Sequence, residues 1–151
     1  ICLLKLKGFS RKDFAKYHPG GSLGKKLYLR VSDITAQNMK PKVAPETSVT
    51  DAIIEISEKM LGVAAVIEND KIIGIITDGD IRRMLKNNTE FKDLTARDIM
   101  SPAPKTIDQD ALAVDALEML EENKISQLLA LENQTYAGVV HIHNLIREGI
   151  L

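Results

Sequence analysis

Lys71-Ile-Ile-Gly74-Ile-Ile-Thr77-Asp-Gly79-Asp80-Ile-Arg-Arg83 returns later in the chain as Thr135-Tyr-Ala-Gly138-Val-Val-His141-Ile-His143-Asn144-Leu-Ile-Arg147. The two glycines lie 64 positions apart. The same offset pairs Asp51-Ala52 with Asp115-Ala116 and Glu68-Asn69 with Glu132-Asn133. It runs without a gap from Val43 and Ile107 to Leu85 and Gly149. Such a duplication predicts a supersecondary unit that cannot bury its apolar face alone and packs against its own copy. Any site built on the unit is then expected twice, with chemistry free to diverge.

Outward from the quoted stretch, each copy reads β-α-β-β-α. In the first, Val43-Ala44 is a short strand. Ser48-x-x-Asp51 is a capping box, and Val49, Ala52, Ile53, Ile56 and Met60 form an apolar stripe at helical spacing. Val63–Ile67 and Lys71–Ile76 are strands around an Asn69-Asp70 turn, and Thr77–Lys86 is a helix. The second copy has a helix over Ala113–Asn123, strands over Leu128–Leu131 and Tyr136–Val140, and a last helix over Asn144–Gly149. Thr95–Met100 answers Leu29–Thr35, with one residue fewer before Ile107. The linker Asn87–Asp93 is short and polar, so the copies are expected to form one pseudo-twofold unit. The expected class is α+β.

The first 29 residues read differently. A helix ends at Gly8, Ser10 and Asp13 offer a capping box, and His18-Pro-Gly-Gly-Ser-Leu-Gly24 makes a sharp break. This region has too little apolar surface to fold alone and reads as the remainder of a longer chain. The expected division is 1–29, 30–90 and 91–151.

The totals exclude several classes. A hydrophobic content of 44% supports a true core, and a net charge of −1 argues against nucleic acid or an anionic membrane as partner. No apolar run approaches the roughly 20 residues of a membrane span. The single cysteine, Cys2, permits no intrachain disulfide and points to a reducing compartment. Tyr17, Tyr28 and Tyr136 are too scattered to stack bases.

The duplicated unit resembles a CBS domain, and the two copies a CBS pair. The residues that carry the likeness are Asp33-Ile34 and Asp98-Ile99, the Asp-Ala helix starts, and Gly74-x-x-Thr77-x-x-Asp80. A second resemblance joins Gly8-Phe9, Asp13-Phe14-Ala15, His18-Pro19-Gly20-Gly21-x-Leu23-Gly24 and the pair that follows. In that order they look like the arabinose 5-phosphate isomerase family, in which a sugar-isomerase (SIS) domain precedes a CBS pair. Residues 1–29 would be the end of the SIS domain. The resemblance implies that the intact enzyme converts ribulose 5-phosphate to arabinose 5-phosphate, for 3-deoxy-manno-octulosonate (Kdo) and lipopolysaccharide. It further implies a cytoplasmic homo-oligomer associating through CBS helices, with no required cofactor. The regulatory ligand would be CMP-Kdo or an adenine nucleotide. His18 would be a catalytic residue of the intact enzyme only. Aldose–ketose isomerisation needs a base near neutrality, and imidazole supplies one.

Within the pair, Thr77 opens a helix whose free N–H groups suit a phosphate, and its hydroxyl adds a donor. Asp80 is one turn on, where a carboxylate can accept from both hydroxyls of a ribose diol. Gly79 permits close approach to the backbone. Arg83, or Arg82, offers a phosphate contact. The plainer reading is that Thr77-x-x-Asp80 only caps the helix. In the second copy His141 stands for the threonine and Asn144 for the aspartate, with His143 two residues beyond His141. These three are expected to line the equivalent cleft and to favour an acidic ligand, or to be polar packing. No third ligand accompanies the histidines, so no metal is expected. Without ligand binding, the pair would be a structural dimerising module, using the stripe of Val49, Ile53, Ile56 and Met60. No complete acid–base set marks this chain as an enzyme by itself.

Overall fold

The computed structural model describes residues 28–88 and 90–150. The expectations for Cys2, Gly8, Ser10, Asp13 and His18 lie outside the described residues. The elements are α1 (Val31–Thr35), β1 (Lys42–Val43), α2 (Val49–Lys59), β2 (Val63–Glu68), β3 (Lys71–Thr77), α3 (Asp78–Asn87) and α4 (Ala96–Ile99). They continue with β4 (Ser101–Pro102), β5 (Thr106–Asp108), α5 (Ala113–Asn123), β6 (Gln127–Glu132), β7 (Thr135–His141) and α6 (Ile142–Arg147). The α+β class and the β-α-β-β-α order of each copy are as the sequence predicts. The short strand β4 is an addition.

Local chemistry accounts for the boundaries. Ser48 Oγ accepts from the Asp51 N–H at 3.1 Å and starts α2. Asn69 and Asp70 both take the left-handed backbone, with φ of 53° and 63°, and Asn133 and Gln134 do the same at 51° and 71°. Two consecutive left-handed residues make the tight turn whose twist matches a hairpin. Both hairpins also slip register at equivalent places, between Val66 and Ile67 and between Ala130 and Leu131.

The strands form two sheets, in the orders β1-β2-β3-β4 and β5-β6-β7. β1 runs parallel to β2 and β5 parallel to β6; the other pairs are antiparallel. Leu61, Val63 and Ala65 from one half meet Leu129, Tyr136 and Val139 from the other in a shared core. The alternate residues Ala64 and Val66 face the helical side with Ala52 and Ile56. This explains why Val63-Ala-Ala-Val-Ile67 is apolar without alternation: both faces of β2 are buried. The buried Tyr136 hydroxyl donates to the Pro41 carbonyl at 2.7 Å. Burial, and secondarily the charge of Glu55, push its phenol well above the usual range, so it stays a donor.

The leading helices are exchanged. Val31 and Ile34 of α1 are fully buried with Leu120, Leu128 and Leu145 of the second repeat. Ala96 of α4 is buried with Ala52, Ile56 and Ile76 of the first. Backbone hydrogen bonds fix both crossings in matching pairs. Val31 N–H donates to Ala111 O at 2.8 Å, and Ala113 N–H to Leu29 O at 2.7 Å. Likewise, Ala96 N–H donates to Thr47 O at 2.8 Å, and Val49 N–H to Leu94 O at 3.0 Å.

The two glycines of the repeat sit where the exchanged segments pass. A Cβ on Gly74 would lie 2.5 Å from Met100 Sδ and 3.0 Å from the Ser101 carbonyl. One on Gly138 would lie 3.0 Å from Thr35 Cβ, and Gly138 also has φ +148°.

One expectation is corrected. Val49 and Ile56 of the apolar stripe are buried in the chain's own core and Ile53 is half-buried, while Met60 is 86% exposed. The stripe folds inward against β2, so it offers no continuous face to a second copy.

Candidate ligand-binding site

Among the described residues, the buried polar side chains are Asp80, 5% exposed, and Asn144, 3% exposed. They are the same position of the repeat. Each sits at the third residue of a helix that follows the last strand of its hairpin, and each closes a reciprocal cap.

In the first copy the Thr77 side chain accepts from the Asp80 N–H at 3.2 Å. Asp80 Oδ2 in turn accepts from the Thr77 N–H at 2.9 Å and from its hydroxyl at 3.1 Å. Asp80 Oδ1 accepts from Arg83 Nη2 at 2.5 Å and from the Ser101 hydroxyl at 2.8 Å. The carboxylate therefore has four donors, which matches its full acceptor capacity. The Arg83 guanidinium lies back over Gly79, whose Cβ, if present, would be 3.4 Å from Arg83 Nη1. A cavity of about 300 Å³ opens beside this group between α3 and α4, lined by Arg83, Met84, Leu94, Asp98 and Ile99.

In the second copy Asn144 Oδ1 accepts from the His141 N–H at 3.0 Å. The Asn144 carboxamide and that of Asn38 exchange hydrogen bonds at 2.9 and 3.1 Å. Asn38 also donates to the Val139 carbonyl at 2.8 Å. The neutral amide pair thus occupies the place of the charged Asp80 network. His141 Nδ1 accepts from the His143 N–H at 3.0 Å, and the two rings stack with centroids 4.7 Å apart and planes 12° from parallel.

The structure thus brings Thr77, Gly79, Asp80 and Arg83 into one cluster and His141, His143 and Asn144 into its counterpart. Arg82 is exposed on α3 and outside the Asp80 network. Two residues escape sequence reasoning, Ser101 and Asn38. Each comes from the segment after a leading helix and reaches the opposite repeat. They lie in the stretch where the copies differ in length, so the repeat offers no signal for either. A larger groove of about 460 Å³ runs along β1 and α2 past Lys42, Thr47, Asp51 and Glu55. It holds none of the predicted residues. Among the described residues no group of three or more His, Cys, Asp or Glu side chains is placed to hold a metal ion. No helix there is long and apolar enough to cross a membrane.

The His141 imidazole titrates below its ordinary value near 6.5, because burial disfavours its charged form and the neighbouring His143 repels it further. Protonation would also turn Nδ1 from acceptor to donor and break the bond from the His143 N–H. With the folded pKa depressed, the unfolded chain binds more protons below about pH 6.5. Stability is thus fully present above that pH and is lost as the pH falls through the folded value. Urea unfolding at constant ionic strength is expected to show this decline. His141→Asn, which caps without titrating, should show a shallower one; equal slopes would refute the assignment.

Two repeats with exchanged leading helices, and a buried capping residue at the start of the last helix of each, define a tandem pseudo-twofold fold. The chain belongs to the CBS domain family, which it matches over residues 31–87 and 96–150. A solved CBS domain structure, NE2398, superposes with a TM-score of 0.73 at 21% identity, covering 81% of this chain and 98% of that one. CBSX2 in complex with AMP superposes with a TM-score of 0.66 at 25% identity, covering 81% of this chain and 96% of that one. By sequence the chain is similar to the arabinose 5-phosphate isomerase KdsD of Yersinia pestis, at 39% identity over 153 residues. That match covers 100% of this chain and 47% of the relative, so the chain spans about half the length of the protein it resembles.

Proposed function

We propose that this chain is the regulatory, nucleotide-binding CBS pair of an arabinose 5-phosphate isomerase. The observation that carries the reading is the 39% identity to the Yersinia pestis isomerase across the whole chain. The intact enzyme would interconvert ribulose 5-phosphate and arabinose 5-phosphate in the cytoplasm and supply Kdo for lipopolysaccharide. His18 would act in its SIS domain, and this chain alone would be inactive. Thr77, Gly79, Asp80 and Arg83 would contact one ligand, with His141, His143 and Asn144 in the second cleft. The ligand would be an adenine nucleotide, as in the AMP complex of CBSX2, or CMP-Kdo as the end of the route. Binding would regulate the attached SIS domains of a homo-oligomer by differing in affinity between two arrangements of the pair. The net charge of −1 supports a small-molecule partner over nucleic acid or membrane.

The second reading, a ligand-independent structural module, is favoured by one observation: the Asp80 carboxylate already has four internal donors. Thermal unfolding with AMP, ATP, CMP and CMP-Kdo separates the two. A ligand at 100 times its Kd should stabilise by about 2.7 kcal/mol, on the order of 5–10 °C for a domain of this size. Melting temperatures unmoved by all four would leave the structural module standing.

A further inference from the structure

The Asp80 cluster contains a built-in competitor. Its carboxylate is buried, and two of its hydrogen bonds come from Thr77, whose backbone and hydroxyl are fixed by the helix start. A third comes from Ser101, held where β4 pairs with β3. Only Arg83 is free to leave: its side chain is 67% exposed while that of Asp80 is 4% exposed. Its guanidinium also covers Gly79, the stretch of backbone a ligand would approach.

We propose that Arg83 is a latch that makes this site select ligands carrying both a hydroxyl donor and an anion. The inference rests on the ligand-binding reading of Asp80. A ligand hydroxyl can reach Asp80 Oδ1 only by taking the place of the arginine, because the carboxylate has no vacant acceptor position. A neutral nucleoside would break a charge-assisted hydrogen bond and leave the guanidinium with water alone. Free phosphate could attract the guanidinium but would strip the buried carboxylate of a donor and return none. A nucleotide repairs both losses, with a ribose hydroxyl on Asp80 and its phosphate on Arg83. The second cleft has no such latch. Its buried residue is the neutral Asn144, clasped by another amide.

The test is calorimetric titration of the chain, and of Arg83→Met and Arg83→Lys, with AMP, adenosine and inorganic phosphate. Arg83→Met keeps the aliphatic stem and removes both donors and charge. Wild type is expected to prefer AMP over adenosine by about tenfold or more, the size of one charge-assisted hydrogen bond. In Arg83→Met adenosine should bind more tightly and AMP more weakly, so that the ratio collapses towards one. Arg83→Lys should fall between. To localise the effect, Arg97→Met, which removes an exposed arginine paired with Glu68 outside the Asp80 network, should leave the ratio unchanged. An AMP-to-adenosine ratio identical in wild type and Arg83→Met would overturn the latch while leaving the binding site standing. Absence of AMP and adenosine binding from all variants would overturn the ligand reading of Asp80, and the latch with it. Melting curves of each variant confirm that the comparison is between folded proteins.

Discussion

Gly138→Ala is expected to lower the unfolding free energy by about 3 kcal/mol, one of the two largest single-site effects here. Two independent costs act at this position. Its φ of +148° is a conformation that L side chains rarely adopt. The added Cβ would also meet Thr35 Cβ at 3.0 Å, where α1 of the first repeat crosses β7 of the second. Thr35 belongs to a helix pinned by Val31 and Ser32 to the Ala111 and Gln109 carbonyls, so it has little freedom to retreat. Gly74→Ala should cost less, because crowding by Met100 and Ser101 acts there without a positive φ. Urea denaturation of the two variants against wild type checks the order. A loss below about 1 kcal/mol for Gly138→Ala would mean that the crossing is loose and the packed interface described here is wrong.

Asp80→Ala should cost about 2–3 kcal/mol, measured the same way and without ligand. Truncation leaves the Thr77 N–H and the half-buried Ser101 hydroxyl without their acceptor. The exposed Arg83 turns to solvent at little cost. Asp80→Asn should cost less, since one carbonyl oxygen can still close part of the cap. Burying a carboxylate has its own desolvation penalty, and the measured value reports which side wins. A loss under about 1 kcal/mol would show that the four hydrogen bonds barely offset burial. The residue would then serve binding more than folding. The equivalent variant, Asn144→Ala, exposes no ion pair to loss but leaves Asn38 Oδ1 without its donor and the His141 N–H without its acceptor. Its expected cost is similar.

Much of this protein was legible in its sequence. The hairpin turns were, because Asn69-Asp70 and Asn133-Gln134 interrupt apolar runs with residues that tolerate the left-handed backbone. Two helix starts were, because Ser48 and the Thr77–Asp80 pair are local devices whose partners lie within four residues, whereas the last helix, expected from Asn144, starts at Ile142 behind the His141 cap. The equivalence of Asp80 and Asn144 follows from the 64-residue offset alone. Periodicity read Val49, Ala52 and Ile56 of α2 correctly as an apolar stripe, wrongly extended it to the exposed Met60, and could not say what covers it. The answer is the chain's own β2.

Tertiary structure decided what local pattern cannot carry. The sequence by itself determined a duplicated β-α-β-β-α unit and an equivalent polar residue, Asp80 or Asn144, in the first turn of each last helix. Those depend on hydrogen bonds and periodicities within a few residues of one another. Only the fold placed α1 on the second repeat and α4 on the first, and so explained why Gly74 and Gly138 are glycines. Only the fold delivered Ser101 to Asp80 and Asn38 to Asn144, across 21 and 106 positions. Contacts at such separations are set by how two apolar faces meet, and that meeting is a property of the packed pair.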